Sequence, residues 1–201
     1  MILAFDTSTA ACTAALFDGS GACLARADEM IGRGHAERLV PMIEALLDGR
    51  TAQTVLVGVG PGSFTGIRVG IAAAQGLAIG WSARIEGMSS LGLLAAGAGI
   101  DGAVAAAVDG GHGELFVQGF DRLAPTTPLL NLPPDEAAAA ISAPIAIGPG
   151  AAALIDARGW GEARAAWPSA AAAMLLPDAL RTLPPKPLYA RAPDARARSA
   201  A

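Results

Sequence analysis

The sequence predicts an α/β fold built from two similar lobes. An apolar, β-branched run at Val55–Val59 leads into a glycine-rich loop and a second apolar run, which is the order of a buried strand, a tight turn and a helix. A unit of strand, aspartate, turn and return strand occurs twice, at Asp6 and at Asp109, and in each case another aspartate ends the return strand 12 residues later. This repetition indicates a duplicated fold.

The chain is long enough for one larger domain or two small ones, with a sizeable core. It has 201 residues, of which 53% are hydrophobic. We expect a first lobe over residues 1–100 and a smaller second lobe over 101–186. The tail, 187–201, is expected either to be loose or to pack back on the first lobe.

The first lobe is expected to begin with a β-hairpin and then to alternate helices and strands. Strands are predicted at 1–6, 11–18, 22–30, 55–59 and 84–88, and helices at 35–47, from near 67 to 80, and from Ser89 to about 98. Ser63 or Thr65 can cap the second of these helices. A turn at 18–21 makes opposing hairpin residue numbers sum to about 39. Cys12 then faces Ala27 and Cys23 faces Leu16, which predicts two reduced thiols rather than a disulfide.

The second lobe is expected to repeat the hairpin and to continue with short elements. Strands are predicted at 106–109, 115–121, 127–132 and 144–147, and helices at 134–140, from 150 through 158, and at about 170–183. Pro184, Pro185 and Pro187 then end regular helix.

Charge and hydropathy exclude some classes of function. The formal net charge of −4 disfavours strong nucleic-acid binding by this chain alone, because phosphate contacts need clustered Lys and Arg. The C-terminal tail is locally basic, and a solvated tail is favoured over one that contacts phosphate. The charged residues there are Arg181, Lys186, Arg191, Arg196 and Arg198, against Asp178 and Asp194. No apolar stretch is long enough to span a bilayer and no signal peptide is recognisable, so we expect a cytoplasmic protein without membrane contact.

The glycine loop could form a cradle for an anion, since its N–H groups lie at a helix N-terminus. It is not a P-loop, because no Gly-Lys-Ser/Thr follows, and it lacks the third glycine of a dinucleotide fingerprint. Asp6 and Asp109 could flank the phosphates and metal of a nucleotide, with the turn at 148–150 near an adenosine; alternatively, both carboxylates cap turns. The candidate nucleotide or anion site, expected to be vestigial, comprises Asp6, Thr7, Ser8, Gly62, Ser63, Thr65, Asp109 and Gly150.

His35 and the glycine-loop helix each have two interpretations. A histidine followed by another four residues later can hold a metal, but Leu39 occupies the second position, so a hydrogen-bonded structural histidine is favoured and no metal site is expected. On the helix, small residues recur every four positions along two ridges, from Gly66 to Ala78 and from Ala72 to Gly80. Such ridges allow close packing, either on this protein's own sheet or on a helix of another chain.

Four segments together resemble the TsaB family, whose members take part in making threonylcarbamoyladenosine at position 37 of tRNA. They are Ile2–Thr9, Gly34–Pro41, Gly60–Arg68 with Gln75–Ala78, and Pro187–Arg191. The resemblance implies an actin/hexokinase-like (ribonuclease H-like) duplicated two-lobed fold with mixed sheets. It also implies a non-catalytic dimerisation subunit, a degenerate paralogue of the catalytic subunit TsaD, whose metal is held by a His-x-x-x-His pair.

The resemblance further implies how the subunit works. TsaD and TsaE are the expected partners, ATP and metal are expected on them rather than on this chain, and tRNA is met only through the complex. Whether the isolated chain forms a homodimer through the same helices stays open. The implied partner-contact residues lie on two helices of the first lobe: His35, Leu39, Met42, Ile43, Leu46, Gly70, Ala72, Ala73, Gly76 and Ile79.

The second half departs from the family pattern and leaves room for other functions. Asp109-Gly110-Gly111 stands where the family usually has Asp-Ala-Arg, so a role for that arginine is in doubt. The alternative function is an ATP-binding, phosphotransferase-like enzyme of the actin-like superfamily, supported by Asp6, Asp109 and the turn at Gly148. A metallopeptidase ranks below it, because no complete ligand set is visible.

Overall fold

The computed structural model describes residues 1–189, and its first lobe is a five-stranded mixed sheet with two helices on one face. The elements of this lobe are β1 Ile2–Asp6, β2 Ala11–Phe17, β3 Cys23–Met30, α1 His35–Leu47, β4 Thr54–Gly58, α2 Phe64–Trp81, β5 Arg84–Met88 and α3 Ser90–Gly97. The strand order is β3-β2-β1-β4-β5. Strand β2 runs antiparallel to both β1 and β3, whereas β1, β4 and β5 run parallel to one another.

The second lobe is a six-stranded mixed sheet built around another hairpin. Its elements are β6 Ala103–Gly111, β7 Glu114–Asp121, β8 Ala124–Pro125, β9 Leu130–Leu132, α4 Pro134–Ala140, β10 Ile145–Ile147, α5 Ala151–Arg158 and β11 Glu162–Arg164. The order is β11-β10-β6-β7-β8, and β9 pairs with β7. A 3₁₀ segment, Ala170–Leu175, and a short helix, α6 Asp178–Arg181, complete the described chain.

The two sheets share a central core, and each has a second core on its outer face. Helix α3 and the 3₁₀ segment lie between the sheets, where Leu91 and Leu94 of α3 meet Ala4 of one sheet and Phe120 of the other. Helices α1 and α2 cover the outer face of the first sheet, and α4 and α5 cover the outer face of the second. The segment after residue 169 returns to the first lobe. There α6 packs on β5, and the Leu188 N–H donates to the Val59 carbonyl oxygen over 2.8 Å.

Most predicted elements are confirmed, including α1 and α4 at the predicted bounds. Helix α2 begins three residues earlier than expected, at Phe64, because the Ser63 hydroxyl accepts the Gly66 N–H and closes the first turn. Strand β9 begins at Leu130 rather than at residue 127.

The predicted alanine-rich helix over 170–183 is wrong. A 3₁₀ segment ends at Leu175, and α6 begins only at Asp178. Pro177 explains the break, because it lacks an N–H for a helical hydrogen bond and pushes Leu176 into an extended conformation.

The predicted hairpin register is also wrong, although the conclusion about the cysteines is confirmed. The Asp18 N–H donates to the Ala22 carbonyl oxygen, so the turn is longer than expected, and a bulge follows at Leu16/Phe17. Cys12 therefore lies opposite Glu29 rather than Ala27, and Cys23 opposite Phe17 rather than Leu16. Both thiols are free, with Cys12 buried and Cys23 exposed.

Candidate functional site

The glycine loop packs tightly against the turn that follows β1. A Cβ at Gly62, where φ is +151°, would lie 2.1 Å from the Ser8 carbonyl oxygen, so only glycine allows this approach. Two of the loop's N–H groups bond within the protein: that of Ser63 donates to the same Ser8 oxygen over 2.6 Å, and that of Gly60 donates to the Ser90 hydroxyl over 3.2 Å. The loop therefore works as a structural turn, and its capacity to cradle an anion is reduced.

Asp6 is fully engaged inside the first lobe. Its side chain is 1% exposed. One carboxylate oxygen accepts from the N–H and the hydroxyl of Ser8, at 2.7 and 2.6 Å, and the other accepts from the Ser90 hydroxyl at 2.5 Å. Thr7 is equally buried and donates to the Gly66 carbonyl oxygen over 2.7 Å. These groups join β1 to α2 and α3, which is the turn-capping role rather than the role of a metal ligand.

A cleft of about 650 Å³ opens between the two lobes. Five of the predicted nucleotide or anion residues line it: Ser8, Gly62, Ser63, Thr65 and Asp109. Asp6, Thr7 and Gly150 are buried and do not line it, because Asp6 and Thr7 bond within the core and Gly150 packs against Ala107 and Val108. Sequence reasoning missed the Trp167 side chain on the wall of the cleft, since nothing in the local sequence marks it.

His35 takes the structural role that was favoured from the sequence. It starts α1, is 8% exposed, and its Nε2 lies 3.3 Å from the Ala11 carbonyl oxygen. Leu39, one turn later, is completely buried against the first sheet. Within residues 1–189, no group of three His, Cys, Asp or Glu side chains is placed to hold a metal ion.

The predicted partner-contact set divides into buried and exposed residues. His35, Leu39, Met42, Ile43, Leu46 and Gly70 are buried against the sheet in this chain's own core. These residues form the apolar stripe that holds the helices in place, and they offer little surface to another protein. Ala72, Gly76 and Ile79 are exposed and Ala73 is half-buried, and Ile79 leaves 83% of its surface in solvent.

The outer surface of α1 is formed by residues between those of its buried stripe. Val40 is 54% exposed, and Pro41 and Glu44 also face solvent. Arg38 forms a two-pronged ion pair with Glu29 of β3, with Nε to Oε2 at 2.6 Å. The Arg38 guanidinium holds the pKa of the Glu29 carboxyl below its usual value, and Glu29 raises the pKa of Arg38.

The glycines of α2 fall into two classes. A Cβ at Gly66 would lie 2.0 Å from the Thr7 carbonyl oxygen, and one at Gly70 would lie 2.7 Å from the Thr7 hydroxyl oxygen. At Gly76 and Gly80 a Cβ would meet no atom within 4 Å. The first ridge is thus required by the protein's own packing, whereas the second, Ala72–Gly76–Gly80, faces solvent and is not.

An exposed cluster at the start of α2 was not among the predicted site residues. It consists of Phe64, Arg68 and Tyr189, and we call it the Arg68 cluster. The Arg68 guanidinium carbon lies 3.5 Å from the centroid of the Phe64 ring, and its Nε and Nη2 donate to the Tyr189 hydroxyl oxygen at 3.2 and 3.0 Å. The three residues lie in the family-like segments at 60–68 and 187–191, which was a signal that could have identified them.

Two lobes built on equivalent hairpins, with a cleft between them, define a two-lobed α/β protein with the actin-like fold. The ethanolamine utilization protein EutJ from Carboxydothermus hydrogenoformans has the same fold, with a TM-score of 0.52 over 87% of this chain and 89% of that one, at 13% identity. YeaZ from Pseudomonas aeruginosa matches better, with a TM-score of 0.77 over 94% of this chain and 98% of that one, at 28% identity.

Sequence comparisons narrow this class. Residues 28–152 match the family model described as TsaD, tRNA N6-adenosine threonylcarbamoyltransferase. The tRNA threonylcarbamoyladenosine biosynthesis protein TsaB of Escherichia coli is 41% identical over 131 residues, 60% of this chain and 55% of that one, and the TsaB of Bacillus subtilis is 31% identical over 121 residues, 57% and 52% of the two chains. The chain therefore belongs to the family of this model, and the predicted resemblance to TsaB proteins is confirmed.

The matched parts do not extend over whole proteins. The chain spans about half the length of the curated relatives it matches, 55% for the E. coli protein and 52% for the B. subtilis protein. None of the helices within residues 1–189 is both long enough and apolar enough to cross a membrane.

Proposed function

We propose that this chain is a non-catalytic scaffold subunit of a cytoplasmic complex that forms N6-threonylcarbamoyladenosine at position 37 of tRNA. It binds and supports the catalytic subunit TsaD, with TsaE as a further partner, and meets tRNA only through the complex. The names of its relatives support the pathway. Two observations favour a scaffold role over a catalytic one: Asp6 is used in internal hydrogen bonds, and Leu39 is buried.

The observation that carries the proposal is the ridge Ala72–Gly76–Gly80 of α2. Glycine inside a helix costs about 1 kcal/mol relative to alanine. Nothing within 4 Å of a Cβ at Gly76 or Gly80 explains that cost inside this chain. A helix of another protein, approaching closely over a ridge of small residues, supplies a reason, and the exposed Ile79 adds apolar surface beside it.

The proposal is tested by mixing the chain with TsaD from the same organism and separating the species by size-exclusion chromatography. Wild type is expected to co-elute with TsaD, and Gly76→Leu to lose the complex, because a leucine side chain holds the two helices apart. Ala152→Leu is a matched control, since Ala152 is an exposed helical position on α5, on the outer face of the other sheet.

The outcomes separate cleanly. A wild-type chain that never co-elutes with TsaD refutes the scaffold function. A complex that survives Gly76→Leu refutes the ridge as its contact. Running each protein alone at several concentrations shows whether the same face also pairs two copies of this chain.

A second candidate function is that of an ATP-binding, phosphotransferase-like enzyme. The observation that favours it is the cleft between the lobes, which both lobes line and which contains Asp109. Calorimetry with ATP and magnesium, followed by a turnover assay on the isolated chain, tests this function. Binding with turnover would establish the enzyme, and the absence of both would eliminate it.

A further inference from the structure

The Arg68 cluster holds an arginine in a fixed position at the surface. The Phe64 ring lies under the guanidinium, and the rings of Phe64 and Tyr189 are 5.9 Å apart between centroids. Tyr189 fixes one edge of the guanidinium by accepting from Nε and Nη2. Phe64 is 57% exposed and Tyr189 is 50% exposed, so the cluster faces solvent. An arginine held in this way loses little further conformational freedom when it binds.

The charge of Arg68 is not balanced within the described part of the chain. No carboxylate of residues 1–189 pairs with it, whereas other arginines there pair with Glu29, Asp101, Glu162 and Asp178. Both of its contacts, Phe64 and Tyr189, are neutral. Because Tyr189 uses the Nε side, the edge formed by Nη1 and the other hydrogen of Nη2 keeps its donors, and this edge fits the two oxygens of a carboxylate.

The cluster continues the exposed ridge of α2. Phe64, Arg68, Ala72, Gly76 and Gly80 follow one another at intervals of four residues, which places them along one line on the helix surface. A helix that lies along the small residues of the ridge therefore reaches Arg68 at one end. Aromatic residues and arginine are also the types that contribute most to binding at protein interfaces.

We infer that Arg68, held by Phe64 and Tyr189, binds a carboxylate side chain of the protein that docks along α2. This inference rests on the proposed function and adds the chemistry of the partner, which presents an acidic residue at the end of its contact with the ridge. A nucleic-acid phosphate is the weaker match, because the chain carries a net charge of −4 and the line beyond Arg68 consists of small apolar residues rather than further cations.

The experiment measures the dissociation constant of the chain with purified TsaD by calorimetry, at low and high salt. Arg68→Glu is expected to weaken binding at least about 30-fold, since it places a carboxylate against a carboxylate. Arg68→Lys keeps the charge but loses the two-pronged guanidinium geometry, so its dissociation constant is expected to lie between those of wild type and Arg68→Glu. Arg68→Ala should lose part of the wild-type salt dependence, because screening acts on the pair that it removes.

Two control variants separate the role of the cluster from that of charge in general. Arg26→Glu makes the same charge change at an exposed position of β3. Arg26 pairs with Ala15 of β2, and Ala15 packs in the core between the two sheets, so this position lies on the opposite face of the sheet from α1 and α2. Arg26→Glu should bind TsaD as wild type does. Tyr189→Phe removes the acceptor that orients Arg68 and should weaken binding about threefold to tenfold while leaving the thermal unfolding midpoint unchanged.

The outcomes distinguish this inference from the function on which it rests. If wild type binds TsaD, Gly76→Leu does not, and Arg68→Glu binds as wild type does, the inference is refuted and the scaffold function stands. If wild type does not bind TsaD at all, both fail. If Arg68→Glu instead lowers only the retention of tRNA in a filter-binding assay, the ligand is a phosphate and the inference is wrong.

Discussion

The glycines of α2 allow a sharp test of the distinction between its two ridges. Replacing Gly76 and Gly80 by alanine adds methyl groups that meet no atom within 4 Å. Each change should therefore stabilise the isolated chain by about 0.5–1 kcal/mol, the helix-propensity gain, since less conformational entropy is lost on folding. For a chain of this size, each kcal/mol raises the thermal midpoint by about 2–4 °C.

The opposite result is expected at Gly66. A methyl group there would lie 2.0 Å from the Thr7 carbonyl oxygen, and the shift needed to relieve the clash would disturb the bond from the Thr7 hydroxyl to the Gly66 carbonyl. Overpacking costs about 1–3 kcal/mol and the lost hydrogen bond about 1 kcal/mol, against a helix gain of about 1 kcal/mol. Gly66→Ala should therefore destabilise the chain by about 1–3 kcal/mol.

Urea denaturation of the isolated chain, followed by circular dichroism, gives the free energy of unfolding for all three variants. It should be done at several protein concentrations, so that any self-association is visible. The reasoning is refuted if Gly76→Ala destabilises the chain, or if Gly66→Ala stabilises it, because the two ridges would then not differ in their packing.

Three further predictions concern other parts of the molecule. Burial raises the pKa of the Cys12 thiol to about 11, so at pH 8 a thiol reagent should modify Cys23 rapidly and Cys12 only after denaturation; rapid reaction of both in the native protein would contradict the structure. Asp6→Asn should cost about 1–3 kcal/mol in urea denaturation, because one side of the amide cannot accept as the carboxylate does, and an unchanged midpoint would show that the network around it is not stabilising. Hydrogen bonds, first that from the Ser20 side chain, lower the pKa of Asp18 in the folded protein. The ionised Asp18 therefore stabilises the fold above its unfolded pKa near 3.8, and this stabilisation is lost as the pH falls from there through the lowered folded pKa. Asp18→Ala should flatten that part of the acid unfolding curve, and an identical curve would count against the effect.

The sequence predicted the fold well because its signals were local. Helix α1 has apolar residues at helical spacing, and β4 is a β-branched run ended by glycine and proline, so each reports its own structure. The segment after residue 169 was predicted poorly, since the high helix propensity of its alanines competes with Pro177 and with contacts to distant strands. The part of the tail at 190–201, including its arginines, lies outside the described residues.

The sequence pattern of α1 and α2 does not separate their buried residues from their exposed ones. Periodicity shows that α1 and α2 are amphipathic, but it does not tell an apolar stripe that faces the protein's own sheet from one that faces a partner. Leu39 and Met42 face the protein's own sheet, whereas Ile79 is exposed to solvent, and only burial in the folded chain separates them. The same holds for Gly66 and Gly76, which look alike in the sequence.

By itself, the sequence determined the two-lobed α/β architecture, the family, and the glycine loop that turns β4 into α2, because these depend on local patterns and on the order of motifs along the chain. Only the tertiary structure decided that the Asp6 carboxylate accepts hydrogen bonds from Ser8 and Ser90, and that Arg68 donates to Tyr189, 121 positions away in the sequence. Contacts between residues so far apart arise from the packing of whole elements, and no local pattern encodes which side chain will lie free at the surface when that packing is complete.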